Sequence, residues 1–306
     1  MSTTIDSKYI DLVNNIINNG YEHNNTIMLP MQIIRADNIT ESFPVVQHKK
    51  LFVKGVWDEL LFFLKGETDV RKLQEKNVHI WDANANPDYK INHNKELSMY
   101  DLGPIYGYQW RRFNMKYIDV DLRSEVMYLL LDKDHDNRDQ LQCIVDELKS
   151  KSLSRRLFMS AWNPCQLDKM VLPPCHVSYH FIPYLKKVNN DEIYTVDLMV
   201  YQRSADVMLG LPFNIASAAF MLMLICKYCG VNAGNVCICI GNAHIYKDHL
   251  KSIDKVKESY DNLQCNDVNV VIDGDITDSF DHYLDTVTYS MSNYNVKNRI
   301  HFDLIV

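Results

Sequence analysis

The segment Leu209–Gly230, LGLPFNIASAAFMLMLICKYCG, constrains the fold of this chain more than any other. Its longest uninterrupted apolar run, Ala218 to Cys226, is far shorter than the roughly 18 to 20 apolar residues that a bilayer demands. Pro212 near its start, Asn214 and Ser217 inside it and Gly230 behind it supply the start and stop of a helix. A helix apolar on all sides belongs in the middle of a large core. At 306 residues the chain is long enough to build one, as one large domain or two ordinary ones. With 47% hydrophobic and 23% charged residues it has the balance of a soluble globular protein, which excludes a disordered chain, a fibrous repeat and a disulfide-stapled mini-protein. No membrane partner is expected.

Around that segment the periodicity changes repeatedly. Lys8 to Asn19, Val56 to Leu64 (closed by Gly66) and Asp139 to Ser150 (Asp139 as N-cap) have helical spacing. Arg156 to Ala161, Cys175 to Tyr184, Tyr194 to Tyr201 and Val236 to Ile240 are rich in β-branched and aromatic residues and read as strands. Helix and strand alternate without a strict βαβ rhythm and without a linker, which predicts one α/β (α+β) domain on a mixed β-sheet packed with helices. Asn84 to Tyr100, Asn114 to Arg138 and Tyr260 to Tyr294 read as long polar loops, the last around one strand-like run, Val268 to Ile272.

Charge narrows the function classes. Lys plus Arg total 32 against 39 Asp plus Glu, a net −7. A duplex DNA binder usually carries a basic face, so DNA is not an expected partner. The N-terminus has neither the basic start nor the apolar run of a signal peptide, so the eight cysteines are expected as reduced thiols in the cytoplasm, with the nucleus as alternative. Cys226-x-x-Cys229 and Cys237-x-Cys239 sit in apolar surroundings and read as core residues, so no metal is expected. No G-x-G-x-x-G or Walker loop occurs, and neither NAD(P) nor a nucleoside triphosphate is implied.

The residues that could carry chemistry fall in four places. In Leu172-Pro-Pro-Cys175-His176 the prolines restrict the backbone that holds Cys175, and a nucleophilic thiol there would need a cationic neighbour. Taken alone, Cys175 is far more often a buried structural thiol. Tyr201-Gln-Arg203-Ser204-Ala-Asp206 ends a strand just before the buried helix, with Asn214 near the helix start. Those groups either converge on a small anionic ligand or cap a strand-to-helix junction, and the local pattern leaves the two about even. Arg155-Arg156 suits a phosphate, but as an isolated pattern such a pair is more often a solvated edge. His244-Ile-Tyr246 places two polar side chains on one face of a strand, where they could jointly hold a hydroxyl.

Together the blocks resemble one family, thymidylate synthase. The resemblance runs in order through Phe43-Pro44-Val45, Glu59 to Gly66, Trp81-Asp82-Ala83-Asn84, Asp101 to Arg111, Arg155-Arg156, Ser160 to Asn163, Leu172 to His176, Tyr201 to Asp206, Gly210 to Ser217 and Ala243 to Tyr246. It is closest to the eukaryotic and viral branch. It covers 43–249 almost continuously within a single catalytic domain of 1–306, with 1–42 and 250–300 divergent. The resemblance implies reductive methylation of dUMP to dTMP, with 5,10-methylenetetrahydrofolate as carbon donor and reductant and dihydrofolate as the second product. By the same resemblance, Cys175 attacks C6 of dUMP, and Arg203 binds phosphate and favours the thiolate. Ser204 also donates to phosphate, Asn214 reads uracil, and His244 and Tyr246 hold the 3′-hydroxyl. Glu59 is the acid/base acting through water, and Tyr106 belongs to the proton-abstraction network. Asp206 contacts the pterin, Trp81 and Leu172 line the folate pocket, Val306 closes it, and Lys49 meets the glutamate tail. Arg155 and Arg156 reach into the partner's site of a sheet-to-sheet homodimer.

The chain departs from the family pattern at the phosphate loop. Glu22-His-Asn-Asn-Thr26 stands where an Arg-Thr-Gly-Thr-Gly run is expected, and one lost charge-assisted contact costs about 1.5 to 3 kcal/mol. Asn242 replaces an Asp and His180 a Gln. The alternatives are a dUMP hydroxymethylase of the same fold, or a catalytically impaired homologue that acts by binding nucleotide or RNA. No residue pattern supports RNA binding.

Overall fold

The computed structural model describes residues 4–93, 95–123 and 138–305. Its centre is the helix Gly210–Cys229, buried on nearly every side and ended by Gly230 at φ +65°, a left-handed position that costs glycine nothing. Long enough to cross a bilayer by length alone, this helix is instead enclosed by protein. It packs on the strands on either side of it in sequence and on helix α2 (Val53–Leu64).

The main sheet has six strands in the order β1-β2-β6-β5-β4-β3. These are β1 (Tyr21–His23), β2 (Thr26–Ala36), β3 (Phe158–Ser160), β4 (His176–Val188), β5 (Asp191–Asp206) and β6 (Asn232–Tyr246). All pairs are antiparallel except β5 with β6, and a parallel pair needs a long crossover, which the central helix supplies. The mixed sheet expected from the broken βαβ rhythm is therefore present, and buried side chains from Tyr9 to Phe302 form one continuous core.

Register sorts the two faces. Tyr179, Val200, Ile238 and Ile34 are joined neighbour to neighbour across four strands, and all are buried beneath the helices. On the opposite face Phe158, His180, Met199, Cys237 and Arg35 form one row, and Tyr201, Cys239 and Ile33 the next. Ile33 is 67% exposed there, Phe158 53% and Tyr201 45%.

Sequence and structure part company at three places. Asn84 to Tyr100 holds the short helix Pro87–Asn92, capped by the Asn86 side chain on the Asp88 N–H, and Asp82–Ala85 is a helical turn at its start. Tyr260 to Tyr294 is not a loop: β7 (Asn269–Asp273) pairs with β8 (Thr288–Ser292), and the helix Phe280–Thr286 buries Phe280, Tyr283 and Leu284 between them. Its acidic residues hid a short amphipathic pattern. Most of the 114–138 loop lies outside the described residues. In addition, β2 went unread from sequence because Pro30 and Met31 (φ +55°) interrupt its alternation opposite Gly241.

Candidate active site

Helix α1 (Ile5–Asn19), β5 and the central helix meet at the turn after Asp206, and the site is built around that junction. Cys175 ends the Pro-Pro segment just before β4, and Arg203 lies opposite on β5. The Arg203 N–H donates to the Cys175 carbonyl at 2.9 Å, as a strand neighbour would. Its guanidinium donates to the carbonyls of Pro174 (Nε, 2.9 Å) and Pro173 (Nη2, 2.8 Å), and Nη2 stands 3.7 Å from Cys175 Sγ. The prolines thus serve through their carbonyls as well as their rigid φ angles: they aim the cation at the thiol.

Tyr106 approaches Cys175 from the other side, its hydroxyl accepting from the Cys175 N–H at 2.9 Å. It opens the short helix Tyr106–Arg111 at φ +26°, a strained position of the sort found at functional sites. That helix can crowd α2 only because residue 107 is glycine: a Cβ there would lie 1.9 Å from the Phe63 carbonyl. The close crossing brings Tyr106 against Phe63, Trp81 and Trp110. Trp81 in turn donates its indole N–H to Glu59 on α2 at 2.7 Å.

The electrostatics divide by cause. Burial pushes the Glu59 carboxyl up to about 7, and the Trp81 bond only partly opposes it. A carboxyl that titrates near neutrality can give and take protons under ordinary conditions. Burial also raises the Cys175 thiol above its usual value, with the Arg203 charge and the Tyr106 hydroxyl pulling against that rise. The guanidinium favours the thiolate, against the larger effect of enclosure. His176 is held down to about 4 by burial and stays neutral, its ring between Tyr106 and Tyr179.

Asn214 is in the first turn and a half of the central helix, where Gln202 Nε2 donates to its Oδ1 at 2.8 Å and the buried His176 ring is a second polar neighbour. Gln202 belongs to the Tyr-Gln-Arg-Ser-Ala-Asp block but was not assigned from sequence; its burial inside a polar strand end is the signal that could have found it. Asp206 Oδ1 accepts the N–H groups of Met208 (3.0 Å) and Leu209 (3.1 Å), which leaves Oδ2 to a ligand. Ser204 is half-buried opposite Asn242, whose Oδ1 lies 3.1 Å from His244 Nδ1. His244 meets the Tyr246 ring edge-on, with 5.2 Å between centroids. Tyr246 and Asp206 share a second neighbour that sequence reasoning missed: His249 lies 5.7 Å from the Tyr246 ring and 3.8 Å from Asp206.

Other expected residues stand apart. Leu172 packs on the core two residues before Pro174, at the start of the Cys175 segment. Lys49, expected at a glutamate tail, is buried; its ammonium donates to the Met208 carbonyl and lies 4.7 Å from the centre of the Phe302 ring. Arg155 and Arg156 are exposed, and among the described residues no contact joins either to the Cys175 group. Glu22 to Thr26 forms the β1–β2 turn, with Glu22 paired to Lys247 at 3.1 Å and no arginine present. Val306 lies outside the described residues. Among the described residues no group of three or more His, Cys, Asp or Glu could hold a metal.

The arrangement provides a thiol steered by a guanidinium, a hydroxyl at its backbone, a carboxyl poised near neutrality and an amide near the start of the central helix. That set suits addition of sulfur to an electron-poor ring carbon with proton transfer beside it. Comparison with known sequences points the same way. A family profile described as thymidylate synthase matches residues 7–306. The thymidylate synthase of Saccharomyces cerevisiae is 35% identical over 313 residues, covering 98% of this chain and 97% of that one. That of Candida albicans is 36% identical over 281 residues, 85% and 84% of the two chains. The bifunctional dihydrofolate reductase-thymidylate synthase of Zea mays is 37% identical over 256 residues, 81% of this chain but 45% of its own. The chain spans about half the length of such bifunctional relatives. With the profile running from the first helix to the C-terminus over this fold and this constellation, the chain belongs to the thymidylate synthase family.

Proposed function

We propose that the chain is a thymidylate synthase that converts dUMP and 5,10-methylenetetrahydrofolate into dTMP and dihydrofolate. The observation that carries this reading is the convergence on Cys175, with Arg203 Nη2 at 3.7 Å from the sulfur and the Tyr106 hydroxyl on its N–H. The Cys175 proton passes to water as sulfur adds to C6 of the uracil and C5 becomes the nucleophile; after C5 has bonded the one-carbon unit and lost its proton, the sulfur leaves C6 and Cys175 is regenerated. Folate supplies the one-carbon unit and the hydride. Asn214 presents its amide to the base, and His244 with Tyr246 holds the sugar hydroxyl. Glu59, near 7 and bonded to Trp81, moves protons at the base, and Tyr106 assists at C5.

Trp81 and Leu172 offer apolar surface, and the Asp206 carboxylate keeps one oxygen for the pterin, a fit in chemical type to reduced folate. We further propose a twofold homodimer through the apolar sheet face of Ile33, Phe158, Met199 and Tyr201, with Arg155 and Arg156 completing the partner's phosphate site. A cytoplasmic setting with reduced thiols is part of the same proposal.

The test is to mix protein, dUMP and methylenetetrahydrofolate and follow dihydrofolate by absorbance and dTMP by mass. Both products, lost together in Cys175→Ala, are the expected result. A hydroxymethyl product without dihydrofolate, or no turnover by folded protein, overturns the reading. For the dimer, Cys175→Ala mixed with Arg156→Ala should recover activity that neither has alone; no recovery refutes the shared site.

A further inference from the structure

Helix α1 is remote in sequence from every residue assigned to the reaction, yet its Tyr9 reaches the turn that carries Asp206 and its Asp6 holds the segment 47–48. Tyr9 is fully buried, and its hydroxyl donates to the Val207 carbonyl at 2.9 Å. Asp6, also fully buried, takes up three donors of one dipeptide: the Gln47 N–H at 2.9 Å, the His48 N–H at 3.0 Å, and the His48 ring through Nδ1 at 2.6 Å. The His48 ring is itself fully buried and stacks on Tyr9, with centroids 4.9 Å apart and planes 21° from parallel. Its carbonyl accepts the Ser259 hydroxyl. The next residue is Lys49, whose ammonium meets the Met208 carbonyl and the Phe302 ring.

The turn after Asp206 is thus held on both sides. Its N–H groups go to the Asp206 carboxylate, the Val207 carbonyl goes to Tyr9 and the Met208 carbonyl to Lys49. A carboxylate taken out of water is an expensive way to fill space, and an apolar side chain of similar volume would often stabilise the fold as well or better. What Asp6 supplies that an apolar residue cannot is direction. Two backbone N–H groups and a ring N–H converge on it, which fixes where residue 49 starts and therefore where its ammonium ends.

We propose that Asp6 and His48 are positioning residues for the folate half of the site. They fix the segment 47–49 so that Lys49 braces the Met208 carbonyl, holds the Asp206 carboxylate in place and seats the C-terminal segment at Phe302. This rests on the reading above that Asp206 meets the pterin. Burial drives the Lys49 ammonium down to about 8 while Asp206 draws it back up, so its charge depends on remaining close to that carboxylate.

The experiment pairs kinetics with hydrogen exchange on Asp6→Asn, Lys49→Met and the double variant. Asp6→Asn keeps the volume but loses the charge and turns one acceptor into a donor. The expected result is a rise of about tenfold in KM for methylenetetrahydrofolate, since small misplacements of a contacting group carry penalties of that order. The Kd for dUMP should stay within about twofold. Lys49→Met should give a similar rise, and the double variant little more than either alone, because both act on one strut. Exchange at the Met208 and Leu209 amides and at 300–305 should quicken while the amides of the central helix keep their protection. Unchanged folate KM, effects that multiply in the double variant, or exchange that quickens everywhere would each overturn the inference. Wild-type protein that makes no dTMP overturns the functional reading instead, and the exchange pattern still judges the strut. If Asp6→Asn does not fold, His48→Leu removes the ring bond and the stack on Tyr9 while keeping the backbone N–H bonds to Asp6, and should raise the folate KM by about threefold; no change there refutes the proposal.

Discussion

The thiol side of the sheet and its hairpin side are built in opposite ways. Around Cys175 the polar groups are tied down, three of them to backbone: Arg203 to two proline carbonyls, Tyr106 to an N–H, Asp206 to two more. At the far edge β1 is three residues long and exposed throughout, turning at Asn24 with φ +51° and joined outward by the solvent-facing pair Glu22–Lys247. The first region is over-determined, and the second is a short edge hairpin with little to hold it. The departure from the family's phosphate loop falls in the second. A sequence can therefore change the hairpin without disturbing the geometry at the sulfur, and the loss is confined to one ligand contact.

The largest effects should come from the tied side. Cys175→Ala should lower dTMP formation by at least about 10⁴-fold, measured by dihydrofolate absorbance, while dUMP binding by calorimetry stays within a few-fold. Glu59→Gln should cost on the order of 10² to 10⁴ in kcat. It also carries a pH signature. The folded-state value of about 7 lies above the ordinary 4.5, so Glu59 contributes stability that is full below about 4.5 and is lost as pH rises through about 7. Melting temperatures across that window should show a slope in the wild type that flattens in Glu59→Gln.

Arg203→Lys keeps the charge but not the fork that spans Pro173 and Pro174, and should weaken dUMP binding by roughly 10- to 100-fold. The smallest effect belongs to the hairpin: His23→Ala should change the Kd for dUMP by less than about threefold. A tenfold loss there would break the contrast, showing that the hairpin grips the nucleotide after all.

What could be read from sequence follows the range of the forces involved. The central helix, the Asp139 cap and the Gly66 stop are decided within a few residues of chain, and all three are present. The family of the blocks that hold Cys175, Arg203, Asn214 and Asp206 was legible because their order and spacing are specific. The bonds that orient them were not. Gln202 on Asn214, proline carbonyls on Arg203 and Lys49 beneath Met208 join residues 12 to 159 positions apart, and no local pattern encodes such pairings. The strand-like run Val268 to Ile272 was read and is β7, but its pairing with β8 and the helix between them were missed for a related reason. Their apolar residues are few, and it is burial against the central helix that makes them sufficient.

The enclosure of Cys175 has a consequence for the lifetime of the protein. Peroxide and alkylating agents attack thiolates, and a sulfur kept largely as thiol is passed over by both. Cys143, Cys165 and Cys265 stand exposed and would meet such reagents first. The burial that raises the Cys175 thiol also shields it, so the protein should age at its surface before it ages at its centre.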